Sequence, residues 1–273
     1  MNLLQRTLTG TVFAIVVVAG IILHPLVFAI VFAAILVLIL YEFYSITKTE
    51  NTNPQKLTGI VLGVLVFALF FSYANGFIRA QTVFFSFPLV AVILVFELYR
   101  KKENPVANIS LTVLGLIYIA LPFSLLNFIV FPGIPKDHQY YPWILMGVFL
   151  IIWVYDSFAY LFGVWLGKHR LFERVSPKKS WEGAIGGGVF ALIMGILNSV
   201  IFQSLELLSW IIIAIIIVIF GTFGDLVESL IKRNLNIKDS GSLLPGHGGV
   251  LDRFDSLLLA IPFIFAWLMI FNH

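Results

Sequence analysis

Long apolar runs, each close to the length that crosses a lipid bilayer, follow one another along almost the whole chain. A membrane-spanning helix needs about 20 such residues, with a range of about 17–25. Transmembrane β-strands are shorter and alternate in polarity, so these runs indicate helices. We predict nine spans, at 8–23, 26–44, 57–74, 82–98, 109–131, 142–166, 182–203, 207–231 and 253–271. The expected fold is all-α, a polytopic helical membrane protein.

Composition supports this fold class and excludes some kinds of site. Of the 273 residues, 60% are hydrophobic and 11% are charged, whereas charged residues make up about 25% of soluble domains. The chain has no cysteine, which excludes disulfides and thiolate metal sites. The 27 phenylalanines are interpreted as bulk that faces lipid. A single membrane domain over 1–273 is expected.

The basic residues orient the predicted spans. If the nine spans alternate, Arg79 and Lys136 lie on one side and the other 15 of the 17 lysines and arginines lie on the opposite side. Because cytoplasmic loops of membrane proteins carry an excess of Lys and Arg, the N-terminus is predicted to be cytoplasmic and the C-terminus external. The cytosolic side then holds two polar loops, at 168–180 and 229–255.

Two carboxylates lie near the cytoplasmic end of the eighth span. Asp225 and Glu228 are three residues apart and share a helical face, which Lys232 extends. A carboxylate inside a bilayer costs roughly 2.5–3.5 kcal/mol on insertion scales and needs compensation. Either an internal ion pair with Lys232 or Arg233, or a divalent cation bound through oxygen ligands, would supply it.

A second pair of acids opens the ninth span. Asp252 and Asp255 could simply favour a helix N-terminus, but His247-Gly248-Gly249 precedes them. Adjacent glycines let the backbone approach a ligand closely, and their N–H groups can cradle phosphate oxygens. Together these residues favour an anion or metal site over simple helix-start chemistry.

Isolated acids within the spans are interpreted individually. Asp156 lies near the middle of the sixth span, where an ionisable residue is a functional candidate, although a structural hydrogen bond is the alternative. Glu42 and Glu97 end the second and fourth spans and are interpreted as interfacial.

The basic side chains of the two polar loops favour phosphate binding, whereas Lys101 and Lys102 are interpreted as anchors to anionic lipid. Magnesium is held in proteins mainly by one or two carboxylates together with substrate phosphates. Carboxylates and several cations at one membrane face therefore predict phosphoryl or nucleotidyl transfer.

Two other classes of protein are weighed against this prediction. Tyr155-Asp156 and Gly224-Asp225 partly match the two motifs of an intramembrane aspartyl protease, but the first glycine of the second motif is displaced to Gly221. A transporter or flippase would use intramembrane acids to bind an ion, but it often shows internal repeats, and none is found in the sequence.

The segment Ser229–Asp255 resembles the C-terminal signature of the phosphatidate cytidylyltransferases, also called CDP-diacylglycerol synthases. It matches that pattern at Lys232-Arg233, Lys238-Asp239, His247-Gly248-Gly249 and Asp252-Arg253-Phe254-Asp255. The segment 176–183 is similar to a second block of the family, as is Asp156 to Tyr160 followed by Gly163 and Gly167-Lys168. Over the N-terminal half the resemblance is one of topology only.

The resemblance implies that CTP and phosphatidic acid react to CDP-diacylglycerol and pyrophosphate in the cell (inner) membrane. It implies Mg²⁺ on Asp225 and Asp252, allows K⁺ as a second cation, and implies a homodimer; no nucleic acid partner is expected. Residues 1–135 would supply apolar spans and 136–273 the catalytic part. We assign catalysis to Asp225, Asp252, Lys232, Arg233 and Asp255. We assign substrate binding to Ser176, Lys178, Lys179, Lys238, Asp239, His247, Gly248, Gly249, Arg253, Asp156 and Glu228.

Overall fold

The computed structural model describes residues 3–133, 137–243, 246 and 248–271, with the side chains of 3–6 left out. The described part is predominantly helical, as predicted. It divides into two compact units, which comprise the described residues of Met1–Tyr140 with Asp239–Arg253, and of Tyr141–Lys238 with Phe254–His273. The expected single membrane domain, with its division at residue 135, stays a prediction.

The first unit contains seven α-helices and the segment that precedes the last helix of the chain. Its helices are α1 (Leu3–Ile22), α2 (Pro25–Ile46), α3 (Lys56–Ala74), α4 (Ala80–Val83), α5 (Leu89–Arg100), α6 (Pro105–Gly115) and α7 (Leu121–Val130). A 3₁₀ turn, Phe84–Ser86, joins α4 to α5, and a π-helical turn, Leu116–Ala120, joins α6 to α7. A further 3₁₀ turn spans Leu251–Arg253.

The second unit contains five α-helices and one hairpin. Its elements are α8 (Trp143–Leu166), β1 (Arg170–Phe172), β2 (Ser176–Ser180), α9 (Trp181–Ile201), α10 (Leu207–Ile216), α11 (Thr222–Asn234) and α12 (Asp255–Phe271). A π-helical turn, Ile217–Gly221, makes α10 and α11 one continuous helix. The segment 168–180, expected as a loop, instead forms an antiparallel pair with an irregular register.

Seven helices among the described residues are long and apolar enough to cross a membrane, which identifies a multi-pass membrane protein. They are Pro25–Ile46, Lys56–Ala74, Ala80–Arg100, Pro105–Val130, Trp143–Leu166, Trp181–Ile201 and Leu207–Asn234. The predicted first and ninth spans coincide with two shorter apolar helices, Thr7–Ile22 and Asp255–Phe271. The count of nine and the cytoplasmic N-terminus stay predictions.

Local chemistry explains where several of these helices begin. At α2 the His24 Nδ1 accepts a hydrogen bond from the backbone N–H of Leu26 at 3.2 Å, and Pro25 occupies the first helical position. At α9 the Ser180 hydroxyl accepts from the N–H of Gly183 at 3.2 Å. Both caps satisfy backbone donors that the first turn of a helix leaves without partners.

The interpretation of phenylalanine as lipid-facing bulk is wrong for the core of the first unit. Phe28, Phe32, Phe43 and Phe123 are fully buried. The rings of Phe28 and Phe32 lie 4.6 Å apart and are tilted, which suits the quadrupoles of aromatic rings. The helices carry apolar residues on all faces, so composition does not distinguish a core-facing ring from a lipid-facing one.

Glu97, interpreted from the sequence as interfacial, lies in a buried polar network of the first unit, and its depth in the membrane stays a prediction. Its carboxylate accepts hydrogen bonds from Asn108 Nδ2 at 2.9 Å, Gln55 Nε2 at 2.7 Å and Arg100 Nη1 at 2.8 Å. The network joins α5 to α6 and to the residue before α3. Three donors offset the loss of hydration that burial of a carboxylate costs.

We expect Tyr44→Phe to lower the free energy of unfolding in detergent by about 1 kcal/mol, the usual net value of one hydrogen bond. Tyr44 is fully buried, and its hydroxyl donates to the carbonyl of Thr112 at 2.8 Å. Denaturant titration followed by tryptophan fluorescence measures the change. The same substitution at the exposed Tyr99 is the control, and an equal loss in both variants would contradict the stabilising role of the Tyr44 contact.

Candidate active site

Asp225 is the centre of a charged cluster in the second unit. It lies in the first turn of α11, where its carboxylate forms an ion pair with Lys179 and accepts a hydrogen bond from the Ser229 hydroxyl at 3.2 Å. The side chains of both Asp225 and Lys179 are 29% exposed, so the pair is partly shielded from solvent. Strand β2 supplies the lysine and α11 supplies the acid.

Two further predicted acids are brought to the same cluster. Asp255 begins α12, and its carboxylate interacts electrostatically with Asp225, Asp156 and Lys179. Close packing of α11 on α12 explains part of this arrangement, because a side chain at Gly224 would overlap the carbonyl of Asp255. We call Asp156, Asp225, Asp255 and Lys179 the acid–lysine cluster.

Like charges dominate the acid–lysine cluster. Three carboxylates lie near the Lys179 ammonium, and like charges this close repel one another. A bound cation would relieve this repulsion, and carboxylate oxygens are the ligands that hard divalent cations prefer. The cluster is therefore chemically suited to a cation, or to a cationic group of a ligand.

The neighbouring carboxylates stabilise the charged form of Lys179. Burial of the ammonium is the largest single influence and acts to lower its pKa, but the charge and hydrogen bond of Asp225, with a contribution from Asp255, outweigh it. The net result is a raised pKa, so Lys179 stays protonated at neutral pH and into the alkaline range. Its charge is thus a fixed feature of the cluster under physiological conditions.

Glu228 is compensated by an internal ion pair, which is the first of the two alternatives that the sequence left open. The buried Glu228 carboxylate forms an ion pair with Lys232, one helical turn later on α11. Pairing of this kind compensates a carboxylate that has been removed from water. Arg233, the next residue, is exposed, and its guanidinium donates to the carbonyl of Ile237 at 3.4 Å.

The remaining predicted phosphate ligands of the second unit lie on its surface. Ser176 is half-buried at the start of β2, whereas Lys178 and Lys238 are exposed. The base of the hairpin is held by Glu182, which accepts from the backbone N–H of Lys168 at 3.1 Å and contacts His169 Nδ1 at 2.6 Å. Exposure leaves the two lysines available to an anion.

In the first unit, Asp252 organises the glycine-containing segment. Its carboxylate accepts from the backbone N–H groups of Gly249 at 2.8 Å and Ser240 at 3.1 Å. Gly248 has a φ of +82°, a conformation that favours glycine. Asp239 and Arg253 are exposed, and His247 lies outside the described residues.

The sequence did not indicate that Glu42 contacts this segment. Glu42 of α2 was interpreted as interfacial, but it is only 3% exposed and accepts hydrogen bonds from Ser240, Val250 and Leu251. The available signal was a lone acid in an otherwise uncharged 22-residue helix. Its partners lie roughly 200 residues away in the sequence, and no local pattern identifies them.

No group of three or more histidines, aspartates and glutamates is arranged as a metal site within the described ranges. The Lys179 ammonium contacts Asp225, the residue assigned to the metal. Asp225 belongs to the second unit and Asp252 to the first. Their assignment as joint metal ligands therefore stays a prediction.

Comparison with known proteins places this chain among enzymes. The sequence profile of the Cytidylyltransferase family matches residues 4–271. A protein named phosphatidate cytidylyltransferase from Bacillus subtilis strain 168 is 33% identical over 273 residues, 98% of each chain. Proteins of the same name from Staphylococcus saprophyticus (32% identity, 82% of this chain and 85% of the relative) and Staphylococcus aureus strain COL (31%, 95% and 96%) are also similar. Because these matches span most of both sequences, the chain belongs to the Cytidylyltransferase family.

Proposed function

We propose that this protein is a phosphatidate cytidylyltransferase, which converts CTP and phosphatidic acid to CDP-diacylglycerol and pyrophosphate. The observation that carries the proposal is the acid–lysine cluster. The chain also belongs to the Cytidylyltransferase family, and a relative that matches it over 98% of each chain is named phosphatidate cytidylyltransferase. Three acids and a lysine in the second unit are residue types that bind phosphate groups, the acids through a cation and the lysine directly.

The reaction requires little proton transfer from the protein. A phosphate oxygen of phosphatidic acid attacks the α-phosphorus of CTP, a new P–O bond forms, and the bond from the α-phosphorus to the bridging oxygen breaks to release pyrophosphate. Because the attacking phosphate is already ionised, no strong general base is needed. The protein contributes mainly by positioning two anions and by offsetting their charge.

Carboxylate oxygens are the protein ligands that a divalent cation such as Mg²⁺ prefers. The acid–lysine cluster supplies such oxygens beside Lys179, although its three acids are not arranged as a complete metal site among the described residues. We propose Asp225 and Asp252 as the residues that hold Mg²⁺, with Asp255 and Asp156 adding negative charge near Asp225. When bound, the ion would neutralise charge on the substrate phosphates; K⁺ is proposed as a second cation.

The basic residues divide by accessibility. Lys178, Arg233 and Lys238 are exposed and can contact the phosphates of CTP or of the lipid headgroup. Lys232 is partly buried and forms an ion pair with Glu228, so it offsets the charge of that carboxylate. We propose that the enzyme acts at the cytosolic face of the inner membrane as a homodimer, where a soluble nucleotide can reach a lipid headgroup.

Transfer of labelled cytidylyl from CTP to phosphatidic acid, by purified protein in mixed micelles, tests the proposed function directly. We expect Mg²⁺-dependent formation of CDP-diacylglycerol and release of one pyrophosphate per lipid product. An aspartyl protease or a transporter would form neither product. Purified, folded protein that forms no labelled lipid at any Mg²⁺ concentration would overturn the proposal.

Lys179→Ala is expected to lower kcat by about 100-fold, comparable to the loss of one preorganised electrostatic contact in other enzymes. The substitution leaves Asp225 without its ion-pair partner in a cluster of like charges. Lys102→Ala is the matched control, because Lys102 is exposed and assigned to lipid anchoring. Equal activity of the two variants would remove Lys179 from the site.

Asp225→Asn and Asp252→Asn are each expected to abolish measurable transfer at saturating substrate while the protein stays folded. Each exchange removes a negative charge at nearly constant volume, so a change in Mg²⁺ dependence would report on cation binding. Asp137→Asn, at an exposed position, should keep wild-type kcat and the wild-type Mg²⁺ dependence. Unchanged Mg²⁺ dependence in either active-site variant would exclude that residue as a metal ligand.

A further inference from the structure

Glu42 is a buried acid of α2 whose oxygens are both occupied by donors from a distant segment. Oε2 accepts from the Ser240 hydroxyl at 3.0 Å and from the backbone N–H of Leu251 at 2.9 Å. Oε1 accepts from the backbone N–H of Val250 at 3.0 Å. All three donors belong to the part of the first unit that follows residue 238. A single side chain therefore fixes both ends of this segment.

One of the residues that donate to Glu42 also donates to Asp252. Ser240 donates its hydroxyl to Glu42 and its backbone N–H to the Asp252 carboxylate, at 3.1 Å to Oδ2. Gly249, which also donates to Asp252, immediately precedes the residues whose N–H groups bind Glu42. Ser240 thus lies between the two carboxylates and couples the position of one to the position of the other.

The backbone of the segment is shaped around Glu42. A Cβ atom on Gly241 would lie 2.6 Å from Glu42 Oε1, and one on Gly249 would lie 2.5 Å from Oε2. Both distances are far below van der Waals contact, so a side chain at either position would displace the carboxylate. Gly249 thus serves an internal contact, in addition to any contact with a ligand.

We propose that Glu42 is a positioning residue for cytidylyl transfer, which orients Asp252 through Ser240 and the N–H groups of Val250 and Leu251. The proposal rests on the proposed function, in which Asp252 acts in catalysis. Glu42 itself does not touch substrate. It holds Ser240, Val250 and Leu251 in place around Asp252. Its loss therefore affects turnover as well as stability, as does the loss of residues that support catalytic ligands in other enzymes.

Glu42→Gln tests the proposal with a minimal change of shape. An amide has one acceptor oxygen, so its NH₂ group must face a backbone N–H or the Ser240 hydroxyl, and at least one of the three hydrogen bonds is lost. We expect kcat to fall by about 10- to 100-fold, the range seen for outer-shell partners, with the KM for CTP changed less than about threefold.

Glu97→Gln is the matched control for this variant. Glu97 is buried in the same unit, 5% exposed against 3% for Glu42. It likewise accepts three hydrogen bonds, but all of its donors are side chains. We expect both variants to lower thermal stability, but only Glu42→Gln to lower the kcat of the folded fraction. If the two variants lose stability alike and both keep wild-type kcat, Glu42 is only structural and the proposal is overturned.

Ser240→Ala provides a milder test should Glu42→Gln fold poorly. It removes one hydroxyl contact and leaves the backbone donors to Glu42 and Asp252 in place. We expect a smaller fall in kcat, and a double variant with Glu42→Gln that falls less than the product of the two single effects, because both act through one contact. Wild-type kcat in Ser240→Ala would overturn the coupling.

Asp252→Asn separates failure of this inference from failure of the proposed function. Loss of transfer in Asp252→Asn, together with normal kcat in both Glu42→Gln and Ser240→Ala, overturns the positioning role and leaves the proposed function standing. Full activity in Asp252→Asn overturns the role of Asp252, and with it the positioning role of Glu42, while the transfer reaction itself stands. Absence of transfer by the folded wild-type protein overturns both the inference and the proposed function.

Discussion

The energetic cost of carboxylates in an apolar environment determines how both units of this protein are built. Each buried acid has a specific compensation: Glu228 has an ion pair, Glu97 has three side-chain donors, and Glu42 has a hydroxyl and two backbone N–H groups. The acid–lysine cluster differs because its negative charge exceeds what Lys179 can offset. Acids whose charge is compensated by protein groups can hold the fold or position other residues, whereas an excess of negative charge is what a cation-dependent site requires.

Much of the architecture was predictable because the bilayer imposes simple rules on sequence. Long apolar runs must form helices, since only internal hydrogen bonds satisfy the backbone in lipid. The Asp225, Glu228 and Lys232 spacing predicted one helical face, and α11 carries these residues with Glu228 paired to Lys232. The family was predicted from the Ser229–Asp255 signature, and the match over residues 4–271 confirms it.

What could not be predicted depends on contacts between distant parts of the chain. The partners of Glu42 follow it by 198 to 209 residues, and the buried phenylalanines of α2 look like lipid-facing ones because every face of that helix is apolar. The β1–β2 hairpin was missed because charged residues, a proline and two serines between two spans resemble an ordinary loop. Its strands are only three and five residues long, too short for an alternating pattern to appear.

The π-helical turn at Ile217–Gly221 lets the α10–α11 helix tolerate the loss of one residue. A π-turn accommodates one extra residue within a helix while both flanks stay helical. A relative that lacks one residue here could close the turn to ordinary α-geometry and keep Asp225 directed towards its partners. One residue lost between Asp225 and Glu228 would instead rotate the two acids apart by about 100°. Insertions and deletions among relatives should therefore collect at this turn and be absent from the four residues that follow Gly224.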